Sequence, residues 1–164
     1  MTNAEAHIVI VLAQQRLNLF RGDRLVLDIP VSTAANGAGE LNGSECTPRG
    51  RHYIRAKIGD GCPPNTVFTG RRPTGEIYTP ELALRYPDRD WILTRILWLS
   101  GREPGRNRLG QVDTMRRYIY IHGTPAETRL GVPGSHGCIR VANDPMIDLF
   151  DQVGVGTAVD IREQ

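Results

Sequence analysis

Apolar side chains recur at every second position through the first part of this chain: Ile8, Ile10 and Leu12, then Leu17 and Leu19, then Leu25, Leu27, Ile29 and Val31. A period of two places such residues on one face of extended backbone, so these runs predict short strands with that face turned to a core. Arg21-Gly22-Asp23 lies between two of them and predicts a hairpin turn. A Gly-rich loop from Ala35 to Gly43 and the Thr47-Pro48-Arg49-Gly50 stretch follow, before another strand through His52, Ile54 and Ala56.

The density of Gly, Pro, Thr and Asn from Gly59 to Pro80 predicts loops or irregular strands. Glu81 to Tyr86 fits a short helix halted by Pro87. In Trp91 to Leu99, Ile92, Thr94, Ile96 and Trp98 alternate with Leu93, Arg95, Leu97 and Leu99, which favours a buried strand over a helix. Gly101 to Gly110 is another loop, and Tyr118 to His122 a strand projecting Tyr118, Tyr120 and His122 from one face. Asp144 before Pro145 predicts an N-cap with proline at the first helical position, and Ile147, Leu149, Phe150 and Val153 the buried side of that helix. Gly156 to Ile161 closes the chain as a strand. The fold class is therefore mostly β.

At 164 residues and 40% hydrophobic content, the chain suits one domain over 1–164 with a single core. A formal net charge of +2 is too small to argue for nucleic acid or an anionic membrane as main partner. All but one of the basic residues are Arg, Lys57 being the exception. Planar guanidinium groups suit carboxylate or phosphate recognition, although codon bias yields the same composition. The segment from Arg85 to Arg117 holds eight Arg against four acidic residues, as substrate-facing loops or as solvated surface. The start from Met1 to His7 lacks the basic residues, long apolar run and cleavage site of a secretory signal, and no transmembrane run of about 20 apolar residues follows. The expected location is the cytoplasm, or the periplasm if a leader has been removed. Cys46, Cys62 and Cys138 make an odd count, so at least one thiol is unpaired in a monomer. In the cytoplasm Cys46 and Cys62 are expected as free thiols too.

Cys138 has unusual company. His122-Gly123-Thr124 precedes it, and it sits inside Ser135-His136-Gly137-Cys138-Ile139-Arg140. A thiol needs a base to become a nucleophile near neutral pH, and two imidazoles are at hand. Gly137 would let a substrate approach the thiol and its backbone N–H without an intervening Cβ. His136, two residues before Cys138 on extended chain, points parallel to the thiol. A residue on a neighbouring strand converges on it more easily, which favours His122 as base and leaves His136 a positioning or substrate-contact role. His7 and His52 have no such company and are read as structural or surface residues.

The His122-Gly123-Thr124 and Ser135 to Arg140 segments resemble the signature of the YkuD-type L,D-transpeptidases, thiol enzymes of bacterial peptidoglycan metabolism. Ile29-Pro30-Val31-Ser32-Thr33, Thr47-Pro48-Arg49-Gly50 and Gly156-Thr157-Ala158-Val159 resemble other core segments of that family, so the likeness spans nearly the whole chain. It implies a YkuD-like β-sandwich or barrel-like mixed sheet with one or two short helices and the catalytic Cys in a cleft between sheets. It further implies that Cys138 attacks the meso-diaminopimelate carbonyl of a peptidoglycan tetrapeptide stem or muropeptide and releases D-alanine. His122 then matches the base and Gly123 the carbonyl that orients it. Ser135, His136 and Gly137 match pocket positions, with N–H groups of Gly137 and Cys138 as oxyanion donors. Arg140, where some branches have Asn, would hold a substrate carboxylate or else form an ion pair. Neither metal nor cofactor is implied, and carbapenems are the expected inhibitors. With a cytoplasmic location, the expected main outcome is L,D-carboxypeptidase action in peptidoglycan recycling, with 3-3 cross-linking or exchange of the terminal D-amino acid in the periplasm as the alternative.

Two other classes stand further off. His122, His136 and Cys138 could supply three zinc ligands, but without a CxxC or HExxH pattern. A non-catalytic wall-peptide binding module would not require a thiol with a base. Tyr118, Tyr120, Trp91 and Trp98 line a cleft or, as aromatic residues at strand spacing more often do, pack in a core.

Overall fold

The computed structural model describes residues 5–164; the reading of Met1 to Ala4 lies outside the described residues. Ten strands and two α-helices follow in the order β1 (Ala6–Val11), β2 (Arg16–Arg21), β3 (Arg24–Pro30), β4 (Gly50–Ile58), β5 (Thr66–Thr69), β6 (Arg72–Ile77), α1 (Pro80–Arg85), β7 (Ile92–Gly101), β8 (Tyr120–Thr124), β9 (Ile139–Ala142), α2 (Asn143–Gln152) and β10 (Ala158–Arg162). All the strands belong to one mixed sheet. β1 pairs β10 and β8 pairs β9 in parallel, and the other pairings are antiparallel. The sheet curls until Ser32, just beyond β3, exchanges two backbone hydrogen bonds with Arg140 of β9. Of the sandwich and the barrel-like sheet, the latter is the arrangement present.

The alternating residues fill the inside of this curl. Ile8, Ile10, Leu17, Leu19, Val31, Ile54, Leu97, Leu99, Ile121, Ile139 and Val141 are fully buried in one cluster, which α2 completes with Met146, Leu149 and Phe150. Gly22 adopts φ 57° in the two-residue hairpin loop between Arg21 and Arg24, a conformation that costs glycine nothing.

Leu25 departs from its expected face. A bulge in the β2–β3 pairing between Leu19 and Phe20 breaks the period of two, and Leu25 is exposed while Leu27 and Ile29 pack on the core. The Gly59 to Pro80 region holds, as expected, irregular strands, the hairpin β5–β6 whose pairing shifts register between Thr66 and Phe68, and α1 is capped by Thr79, whose side chain accepts the Leu82 N–H at 3.1 Å. Tyr118 is not part of β8. It has φ 56° and is exposed, so only Tyr120 and His122 share the expected face. α2 begins at Asn143, two residues before Pro145, with no side-chain cap. The Asn143 amide is engaged elsewhere, and Pro145 at the third helical position lacks only an N–H that has no partner within a helix.

His52 sits fully buried on β4 between the Gly50 carbonyl (3.0 Å from Nδ1) and Thr114 Oγ1 (2.9 Å from Nε2). Burial disfavours its charged form and pushes its pKa down to about 4. The unfolded chain therefore binds the proton first as pH falls below ~6.5, and stability is lost between there and about pH 4. The expected size is on the order of 3 kcal/mol. Urea unfolding at pH 7 and pH 4 should show that loss in the parent and a smaller one in His52→Gln; equal losses would contradict it.

Candidate active site

Parallel pairing of β8 with β9 sets Ile121 against Ile139 and His122 against Arg140. Paired residues point to the same face, so Ile121, Ile139 and Val141 enter the core while Tyr120, His122, Cys138 and Arg140 share the opposite face. Cys138 immediately precedes β9 and packs beside Tyr120, Phe68 and Ile96. The pairing thus brings the thiol and the His122 imidazole to one face, and His136, exposed in the turn, is left to solvent and to whatever binds there.

His122 is fully buried. Its Nδ1 lies 2.6 Å from the Gly123 carbonyl. A carbonyl can only accept, so Nδ1 holds the ring proton and Nε2 is a bare lone pair. That Nε2 is buried without a hydrogen-bond partner. Burial shifts the imidazole pKa below its ordinary value, against weaker opposing effects of the Gly123 carbonyl and the Asp90 carboxylate. The ring is therefore neutral and able to take a proton at pH 7.

Gly123 has a second role. A Cβ there would collide with Asn143 Oδ1 and the Leu93 carbonyl. Asn143 braces this corner: its Oδ1 accepts the Thr94 hydroxyl at 2.7 Å, its Nδ2 donates to Asn65 Oδ1 at 2.7 Å, and Thr94 Oγ1 accepts the Asn65 N–H at 3.0 Å. Thr94 is held at φ 77° in the bulge of β7, a strained conformation for a β-branched residue that these bonds over-determine.

The thiol accepts the Tyr120 N–H at 3.3 Å and donates to the Tyr118 carbonyl at 3.4 Å. It is not hydrogen-bonded to His122, so the two partners meet only when the thiol turns or a substrate arrives. Burial pushes the Cys138 pKa up to about 12, with the Tyr120 N–H, Arg140 and Arg117 pulling weakly the other way. Its resting form is the protonated thiol beside a neutral imidazole, not a thiolate–imidazolium pair.

The Ser135 to Cys138 turn is closed from within. Ser135 Oγ donates to the Cys138 carbonyl at 2.5 Å and accepts the Gly137 N–H at 3.2 Å. Ser135 therefore fixes the turn that carries Cys138, and the Gly137 N–H, expected as an oxyanion donor, is already committed to the Ser135 hydroxyl. Gly137 adopts φ 132°, and a Cβ on it would press on Ile119 and the Cys46 carbonyl. Its carbonyl accepts the Thr47 hydroxyl at 2.9 Å, which ties the Thr47-Pro48-Arg49-Gly50 stretch to the turn.

Arg140 is engaged as an ion pair rather than held open. It donates to Asp90 Oδ1 at 3.1 Å and to the Gly134 carbonyl at 3.0 Å. A depression of about 160 Å³ beside it is lined by Asp90, Trp91 and Thr128 among others. Asp90 and Arg71 were not singled out from sequence. Arg71 occupies the tight turn between β5 and β6 at φ 64° and lies 4.5 Å above the Trp98 ring and 5.0 Å from that of Tyr118, with a 3.0 Å bond to the Tyr120 hydroxyl. Gly70 before it was the only local signal of that turn. Tyr118, Tyr120 and Trp98 thus wall the site, and Trp91 lines its Arg140 side. Cys46 and Cys62 are free thiols. Among the described residues no three His, Cys, Asp or Glu side chains gather as metal ligands, so the three suggested zinc donors are not brought together.

The L,D-transpeptidase catalytic domain model matches residues 5–161, nearly the full length. The chain belongs to the YkuD family of L,D-transpeptidases. A probable L,D-transpeptidase of Escherichia coli, ErfK/SrfK, is 50% identical over 48 residues, covering 29% of this chain and 16% of that protein. The putative L,D-transpeptidase YqjB of Bacillus subtilis is 45% identical over 47 residues, covering 29% and 27% respectively. These matched segments are small parts of the curated relatives. Among solved structures, L,D-transpeptidase 3 of Mycobacterium tuberculosis superposes with a TM-score of 0.60 at 16% identity, covering 98% of this chain and 62% of that one. The L,D-transpeptidase LdtMt1, solved in complex with imipenem, gives 0.57 at 19% identity, covering 97% and 59%.

The protonated resting thiol has a kinetic signature. Alkylation of Cys138 by iodoacetamide, followed by peptide mass, should be slower at pH 7 than for a free thiol such as glutathione and should rise without levelling from pH 7 to pH 10. A plateau reached near neutral pH would reveal a preformed thiolate and contradict this geometry.

Proposed function

We propose that this domain is a cysteine acyltransferase that cleaves the bond between meso-diaminopimelate and the terminal D-alanine of peptidoglycan tetrapeptide stems. The observation that supports it best is the bare, buried His122 Nε2 on the face that bears Cys138, its tautomer fixed by the Gly123 carbonyl. Nε2 takes the thiol proton as sulfur attacks the carbonyl carbon. Negative charge then grows on the carbonyl oxygen, where the Cys138 N–H is the candidate donor. As the tetrahedral intermediate collapses, the proton held on Nε2 passes to the departing nitrogen of D-alanine, leaving a thioester on Cys138 and a neutral imidazole.

The acceptor then decides the outcome. An amine of a second stem gives a 3-3 cross-link, and water gives the carboxypeptidase reaction expected from sequence together with a cytoplasmic location. Thioester formation is common to both and is the part the geometry supports. In either outcome His122, neutral again, activates the acceptor.

Incubation of the protein with a tetrapeptide stem should release D-alanine, and the intact mass should show an acyl adduct at Cys138. A carbapenem should add its own mass to the same residue. Cys138→Ala should lose adduct and release altogether, and His122→Ala should slow release by about 10²–10⁴-fold. Release of D-alanine at the parent rate by Cys138→Ala would overturn the reading, and the ratio of cross-linked dimer to tripeptide names the acceptor.

A further inference from the structure

The face that bears Cys138 continues well beyond it. Trp98 of β7 stands opposite Tyr120, and two residues further along the same strand Ser100 stands opposite Tyr53 of β4. Side chains at i and i+2 share a face, so Tyr53 and Trp98 belong to the surface that carries the thiol. Strand spacing puts Tyr53 roughly 15 Å from Cys138. Guanidinium groups interleave with these rings: Arg102 lies 5.2 Å from the Tyr53 ring, Arg55 5.6 Å and Arg71 4.5 Å from that of Trp98. At the far end Arg51, Tyr53, Arg102 and Arg108 line a depression of about 450 Å³.

These guanidinium groups are not locked in ion pairs. Among the described residues none of Arg51, Arg55, Arg102 and Arg108 forms an ion pair. Glu103, which accepts the Arg51 backbone N–H at 2.8 Å, pairs with Arg106 at 3.3 Å, and Asp160, opposite Arg51 in the β4–β10 pairing, pairs with Arg162 at 2.7 Å. The Tyr53 hydroxyl pKa is lowered, first by its bond to Ser100 and then by the charges of Arg108 and Arg55. Elsewhere in the same Arg-rich segment, Arg89 pairs with Glu76, Arg95 is buried, and Arg117 binds the Cys46 carbonyl, while Arg85 and Arg116 are exposed.

We propose that this arginine–aromatic face is a docking track for the polymeric substrate, holding carboxylates of stems that neighbour the one at Cys138. The proposal rests on the stem-peptide reading given above. A stem polymer repeats its carboxylates along its length, which matches a row of guanidinium groups and not a single pocket. One exposed arginine–carboxylate contact contributes little, but several engaged by one polymer act together through effective concentration. Attachment should therefore weaken steeply with salt.

The test uses Cys138→Ala protein, which cannot turn substrate over, and co-sedimentation with insoluble peptidoglycan freed of other polymers. Adding Arg102→Glu and Arg108→Glu should weaken retention at least about tenfold, whereas Arg102→Lys with Arg108→Lys should keep it within about threefold, which shows that the fold is intact. Amidation of the carboxylates of the polymer should abolish the difference. In the active background the Glu pair should release D-alanine from a single tetrapeptide at the parent rate. Equal retention of parent and Glu pair, retention that ignores amidation, or tighter retention on a phosphate polymer would each overturn the proposal. Charge-dependent retention without any tetrapeptide turnover would sustain the docking track and overturn the reaction instead.

Discussion

The parallel pairing of β8 with β9 is the constraint on which the site depends. It commits one side of both strands to the core through Ile121, Ile139 and Val141, and the other side to chemistry through His122 and the thiol. A slip of one residue would drive His122 into the apolar interior and turn Ile121 out to solvent, so burial of the core also enforces the register of the active site. The short distance from Tyr120 N–H to Cys138 Sγ is a product of that register, as is the place of Arg140 beside the imidazole. Parallel strands require a long connection, and the Pro- and Gly-rich stretch between Thr124 and Ser135 supplies it.

Electrostatically the site is a neutral pair, the imidazole fully buried and the thiol half-buried. Burial opposes charge on both partners, raising the thiol pKa and lowering that of the imidazole. Proton transfer between them would create two charges in a place that resists them, so under the proposed reaction it is coupled to the arrival of an electrophile that takes up the sulfur lone pair. An accessible thiolate would be open to oxidation and alkylation between turnovers, and this arrangement withholds it. The fixed tautomer matters in the same way: a proton on Nε2 would leave the base without a lone pair where it is needed. Arg140, locked to Asp90 and Gly134, balances a carboxylate that would otherwise bias both groups.

Much of this was legible in the residues. The period of two located β1 to β4, β7 and β8 but not β9, and Asp-Pro located α2 to within two residues, because local periodicity and backbone restriction act over short range. Cys138, His122 and Gly123 stood out because their chemistry is rare in combination. What escaped depends on contacts distant in sequence. Whether Ser135 and the Gly137 N–H serve substrate or each other is decided by a turn geometry that the residue types leave open. Asp90, Arg71 and the Tyr120 N–H reach the site only through the pairings of β7 with β5, β8 and β4, and Asp144 does not cap α2, which instead begins at Asn143, whose amide braces the bulge at Thr94, 49 residues away. Leu25 was misplaced by one bulge, which a period-two pattern cannot register.

The central claim is that His122 is a neutral imidazole protonated at Nδ1, with Nε2 free to accept the thiol proton. Nitrogen-15 NMR of the ring, followed as pH is lowered from 8 to 5, measures this directly. The account predicts a neutral ring bearing its proton on Nδ1 at pH 7 and persisting below the ~6.5 at which a free imidazole is half charged. A ring protonated at Nε2, or an imidazolium at pH 7, would contradict it.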